Sequence, residues 1–159
     1  VPTLQEALAI MPRNIWLNIH LKGGQNLGAA TAEAVISADR IHQAVIACGK
    51  DAAQGVRQVN PNIMICNMER LSTRADYINE TIEKDFTFLQ IKSSRDDENM
   101  VSDLKRLKDN GTHINYFHAE EEAKVKELMD LGVDFILTDH LSKMLQAFNK
   151  LESVSSVIP

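Results

Sequence analysis

Short apolar runs alternate with longer stretches in which apolar residues recur every three or four positions, and the alternation continues almost to the end of the chain. The short runs predict strands at residues 15–21, 44–48, 63–66, 86–91, 113–117 and 134–138. The longer stretches predict helices. Thr3-x-x-Glu6 is a capping box that opens a helix through Leu8 and Ile10, and Pro12 stops it. Gly23 and Gly24 break the chain before a helix around residues 31–41, and another runs from Asp51 until Pro61 ends it. Ala75, Ile78 and Ile82 share one helix face, and Val101, Leu104 and Leu107 share another that Gly111 stops. Glu120, Glu121 and Glu122 suit the positive end of a helix dipole, with Val125, Leu128 and Met129 as its stripe and Gly132 as its stop. Leu141, Met144, Leu145 and Phe148 mark a last helix, and the polar residues after Leu151 are expected to fray.

Strand and helix alternate six times. Parallel strands need a crossover between them, so this rhythm predicts a parallel sheet in one domain over residues 1–159. It fits an open doubly wound sheet and most of an eight-stranded barrel equally well. No Gly-x-Gly-x-x-Gly follows the first strand, so nothing marks a dinucleotide site.

Apolar residues make up 44% and charged residues 25%, which predicts an ordinary packed core. The net charge of −5 is spread without a basic block, which argues against a nucleic-acid partner. No apolar run is long enough to span a membrane, and no signal-peptide pattern opens the sequence. Cys48 and Cys66 are too few for a disulfide framework or a four-sulfur metal site, and read as buried thiols. A bridge between them would require close strand ends.

Ligands in either architecture bind where strands end and loops begin. Those ends carry Asn18, His20, Lys22, Cys48, Asn67, Lys92, His118 and Asp139. Strand alternation puts Asn18, His20 and Lys22 on one side, with Ile19 and Leu21 on the other. Three polar side chains facing one way would be costly in a sealed core, so they read as the lining of a cavity mouth.

Three segments, in order, extend the reading. "VPTLQEAL" followed by "NIHLK", then "AVIACGKDAAQGVRQVNPNIMI", then "INYFHAEEEAKVKELMDLGVDFILTD" resemble consecutive parts of glycerophosphodiester phosphodiesterases. The resemblance covers nearly all of the chain. It implies an α/β fold: a parallel (β/α) barrel of the TIM type, here an incomplete barrel with six βα units. The family's His-Arg-Gly strand, Glu-x-Asp metal pair and second His-Asp site precede the "PTL" segment and have no counterpart here. The chain is therefore expected to be the C-terminal portion of such a barrel and inactive alone. A missing N-terminal segment or a self-associated barrel would be its partner.

The resemblance also implies an enzyme of glycerol and lipid metabolism that releases glycerol phosphate and an alcohol from a small phosphodiester. A divalent metal, Ca²⁺ or Mg²⁺, is the implied cofactor. His20 stands where the family has a metal-binding Glu, and imidazole suits transition metals better than these hard cations. His20 is then a ligand of a different metal, a substrate contact or simply a hydrogen-bonded side chain. Lys22 matches the family's lysine and is the expected catalytic charge against the phosphodiester, or else a lysine lying over the rim. Asn18 and His118 are expected substrate contacts, and Tyr116 is either a wall against glycerol or a core aromatic. Asp139 is a candidate ligand or a cap for the last helix. A non-catalytic barrel binding a phosphorylated ligand and an unrelated α/β binding domain are the alternatives. The compartment stays open, with a periplasmic or secreted setting favoured over the cytoplasm.

Overall fold

The structure is a computed structural model that describes residues 1–155, with side chains through residue 150. Helix α1 (Leu4–Ile10) precedes six strand–helix pairs. These are β1 (Leu17–His20) with α2 (Gln25–Ser37), β2 (Ala44–Cys48) with α3 (Lys50–Val59), and β3 (Met64–Asn67) with α4 (Arg74–Glu83). They continue as β4 (Phe88–Lys92) with α5 (Met100–Asp109), β5 (His113–Phe117) with α6 (Glu122–Asp130), and β6 (Phe135–Leu137) with α7 (Leu141–Ser155). All neighbours are parallel and the order is sequential, β1-β2-β3-β4-β5-β6. Sequential parallel strands with a helix after each are successive staves of a TIM-type barrel, here an incomplete one with six βα units.

The two faces of the sheet differ. Val45, Ala47, Cys66 and Phe88 pack together on the inner face, joined by Met64, Met68 and Phe135. Trp16 stands edge-on to Phe88 at 6.4 Å and to Phe135 at 5.6 Å, bringing the start of β1 against β6 across the inside. The outer face is buried under the helices in three clusters, centred on Leu17 and Val35, on Ile46 and Val56, and on Leu89, Leu104 and Ile114.

Local chemistry sets the boundaries. Thr3 and Glu6 form the full reciprocal capping box at α1. The expected first strand shrinks to four residues because the Gln43 side chain takes the carbonyls of Pro12 and Ile15, holding the preceding segment as a turn. Helix α2 starts at Gln25, not near residue 31, with Gly24 at its cap. Its buried positions are Gly28, Thr31, Ala32, Ala34 and Val35, residues too small to advertise a stripe. A Cβ on Gly28 would overlap the Ala52 carbonyl oxygen, and one on Gly55 the Gln25 carbonyl oxygen. Helices α2 and α3 therefore meet backbone to backbone.

Some stripe positions are corrected. Val101 and Met129 are exposed, as is Ala75, while Met100, Leu104 and Leu107 bury α5, and Arg74, Tyr77, Ile78 and Thr81 bury α4. Leu141, Leu145 and Phe148 are also largely exposed, whereas Met144 and Ala147 are buried. Gly111 and Gly132 end their helices at φ +72° and +83°, as a left-handed stop requires. The fraying expected after Leu151 concerns side chains outside the described residues.

Candidate functional site

The β1 side chains divide as alternation dictates. Ile19 packs with Leu17 and Val35, and Leu21 against the Ile46–Val56 cluster, both beneath the helices. Asn18 faces inward and lines a cavity of about 200 Å³ with Trp16, Val45, Cys66, Phe88 and Asn115. His20 and Lys22 are exposed beyond it, on the rim at the carboxyl end of the sheet. Partial burial first, then the charges of Arg70 and Lys22, hold the His20 imidazole below its ordinary pKa. It is neutral at pH 7.

Two loops complete this rim. Arg70 follows β3 in the left-handed region at φ +50°, a conformation that costs a non-glycine residue roughly 1–2 kcal/mol. Lys92 ends β4, and its register partner Phe117 ends β5 on the same inner face. Between the loops lies a second cavity of about 120 Å³, lined on its polar side by Arg70, Arg74, Gln90, Lys92, Ser94 and Arg95. No carboxylate lines it.

Among the described residues, Lys22, Arg70, Lys92 and Arg95 make no ion pair, whereas most other lysines and arginines do. The chain carries 22 acidic against 17 basic residues, yet four of the cations that make no ion pair, Lys22, Arg70, Lys92 and Arg95, stand at the carboxyl-terminal mouth. That mouth attracts anions.

Other candidates take different places. Tyr116 is not on the inner face: it is 1% exposed, packs with Tyr77, Leu89 and Leu104, and donates its hydroxyl to Asp96 Oδ2 at 2.6 Å. Burial and that acceptor push its pKa upward. Strand parity decides this, because Asn115 and Phe117 share the inner side and Tyr116 has the other. Asn67 is fully buried and structural. Its Nδ2 donates to Thr81 Oγ1 at 3.0 Å, its Oδ1 accepts from the Glu69 N–H at 2.9 Å, and its carbonyl accepts from the Tyr77 hydroxyl.

Cys48 and Cys66 are free and lie on opposite faces of the sheet. Burial pushes their pKa values up to about 11 and about 12, so neither is a thiolate at neutral pH. His118 is partly exposed, with Nε2 3.8 Å from Glu120 Oε1. Glu120 also pairs with His140 at 3.3 Å and accepts the Asp139 N–H, fixing the turn into α7. Thr138 Oγ1 accepts the His140 N–H at 3.0 Å, so threonine, not the Asp139 carboxylate, holds that turn.

Among the described residues no three His, Cys, Asp or Glu side chains converge as ligands, and the positive charges of Arg70 and Lys22 lie near His20. Arg70, Arg95 and Phe117 are the rim residues that sequence reasoning missed. Phe117 was within reach of parity; the two arginines lie in loops without a pattern.

Comparison with known proteins places the fold. No family model and no curated protein matches the chain. A glycerophosphodiester phosphodiesterase from Parabacteroides distasonis is similar over 95% of this chain, with a TM-score of 0.72 and 20% identity. An Oleispira antarctica phosphodiesterase, solved with the product sn-glycerol-3-phosphate, is similar over 93%, with a TM-score of 0.73 and 21% identity. The chain spans 65% and 61% of the length of those two structures.

Proposed function

We propose that the chain is part of a glycerophosphodiester phosphodiesterase, with the phosphodiester held at the carboxyl-terminal mouth by Lys22, Arg70 and the neutral imidazole of His20. The observation that carries this reading is that Lys22, Arg70, Lys92 and Arg95, none of them ion-paired, stand together at the mouth of a chain whose overall charge is negative. The structural neighbours named for phosphodiesterase activity agree with it.

Each side chain has a task. Lys22 and Arg70 place positive charge against the non-bridging oxygens, where negative charge grows as the phosphorus is attacked. The neutral His20 can donate one N–H to a phosphoryl oxygen without adding a full charge. Asn18, deeper in the cavity, offers an amide to a glycerol hydroxyl. The described side chains do not by themselves supply a general acid and base, and no proton transfer is assigned to them.

The test is hydrolysis of a glycerophosphodiester by the natural protein. Lys22→Ala should lower turnover by about ten- to thousandfold, the scale of losing one electrostatic stabiliser of a transition state. Absence of hydrolysis by the wild type with Mg²⁺, Ca²⁺ and Zn²⁺ in turn would overturn the enzymatic reading.

A further inference from the structure

We infer that the cavity between the β3 and β4 loops is a second anion subsite, which takes a phosphomonoester on the alcohol group of the diester. The substrate class is then a glycerophosphodiester with a phosphorylated head group. This rests on the reading of Lys22 and His20 as the phosphodiester site and specifies what lies beside it.

The loop sequence makes the charge pattern informative. Residues 92–98 read Lys-Ser-Ser-Arg-Asp-Asp-Glu, so acids outnumber bases locally. The fold separates them. Asp97 is taken by the buried Arg74 guanidinium, and Asp96 accepts the Tyr116 hydroxyl. Lys92, Ser94 and Arg95 are left lining the cavity with Arg70 opposite.

The geometry is fixed in advance of any ligand. Arg95 Nη1 donates to the Leu71 carbonyl at 2.7 Å, and Arg74 Nη1 to the Arg95 carbonyl at 2.6 Å, so each loop holds the other. Arg74 Nε also bonds Asp103 at 2.6 Å, anchoring the pair of loops to α5. The volume of about 120 Å³ is roughly four times the ~30 Å³ share of a liquid water, room for one tetrahedral oxyanion. Guanidinium, ammonium and hydroxyl donors around such a volume are the chemistry of phosphate recognition. Arg70 lines this cavity and also acts on His20, so the two anion positions adjoin.

The experiment is calorimetric titration of the natural protein with glycerophosphoinositol, glycerophosphoinositol 4-phosphate and inorganic phosphate. Wild type should bind the phosphorylated diester at least tenfold more tightly than the unphosphorylated one. Lys92→Gln, which removes no hydrogen bond or ion pair of the fold, should erase most of that preference, and Lys92→Arg should keep it. Equal affinity of the wild type for the two diesters would overturn the inference while leaving the phosphodiesterase reading intact. Should neither diester bind, yet inorganic phosphate bind with an affinity that Lys92→Gln lowers tenfold, the subsite would stand and the phosphodiesterase reading would fall. Binding of none of the three would remove both.

Discussion

Replacing Gly55 by alanine tests whether the close seam between α2 and α3 governs the rim. By intrinsic helix propensity the change should help by up to about 1 kcal/mol, since Gly55 is helical and its φ is not in the left-handed region. The structure predicts the opposite. The new methyl would overlap the Gln25 carbonyl oxygen and stand 2.9 Å from Ala29 N, and both obstacles are backbone. Relief to ordinary contact requires a shift of about 1.4 Å, and a gap of only about 0.5–1 Å already forfeits a quarter to a half of each dispersion contact across it. Ala32, Ala52, Ala53 and Val56 pack together in the fully buried layer at this seam. Overpacking of this kind costs about 1–3 kcal/mol. For a chain of this size that lowers Tm by about 2–12 °C. Thermal unfolding of the variant, with exposed Gln54→Ala as a control expected within about 0.5 kcal/mol of wild type, reads the effect directly. Gln25 opens α2 immediately after the loop that carries Lys22, so anion binding should weaken in parallel. A Gly55→Ala protein as stable as wild type, or more so, would refute the reasoning.

Two further outcomes follow from hydrogen-bonded polar groups. Burial alone would raise the Asp134 pKa, but the Lys108 ammonium, the Ile114 N–H and His113 together hold it below its ordinary value. An unfolded aspartate titrates near 3.9. The stabilisation is thus complete above about pH 4 and disappears as pH falls through the lower folded value. Urea denaturation should show wild type losing stability on acidification below about pH 4. Asp134→Asn should be weaker by about 1–3 kcal/mol at pH 7 and flatter in acid. Asn67→Ala leaves the Glu69 N–H without its acceptor and removes the donor to the Thr81 hydroxyl, which still donates to the Tyr77 carbonyl, and should cost about 1–3 kcal/mol in the same assay.

Most of the fold was legible because strands in a parallel sheet are short, apolar and evenly punctuated. β2 and β5 fall where the pattern predicts them, and the order of all six follows from the crossover rule. What the pattern hid has physical causes. Helix α2 buries glycine, alanine and threonine, whose value lies in close approach and not in hydrophobicity. Arg74 is buried because Asp97 and Asp103 neutralise it, which no apolar periodicity can signal. At the rim, Asn18, His20 and Lys22 were readable from strand parity, and the same parity separates Phe117 from Tyr116. Arg70 and Arg95 were not readable, since their approach depends on two loops that tie each other through carbonyl groups far apart in sequence.

The aromatic contact between the two ends of the sheet has a spectroscopic consequence. Trp16 is the only tryptophan of the chain, about half exposed, and its indole lies across the inner gap from β1 to Phe135 of β6. The intrinsic fluorescence of the protein therefore originates at the place where the barrel stands open. Any polypeptide that enters the gap, whether another copy or a further segment, must strip water from the indole and move its emission to shorter wavelength. Closure of the barrel can be followed in solution as a colour shift, without a label.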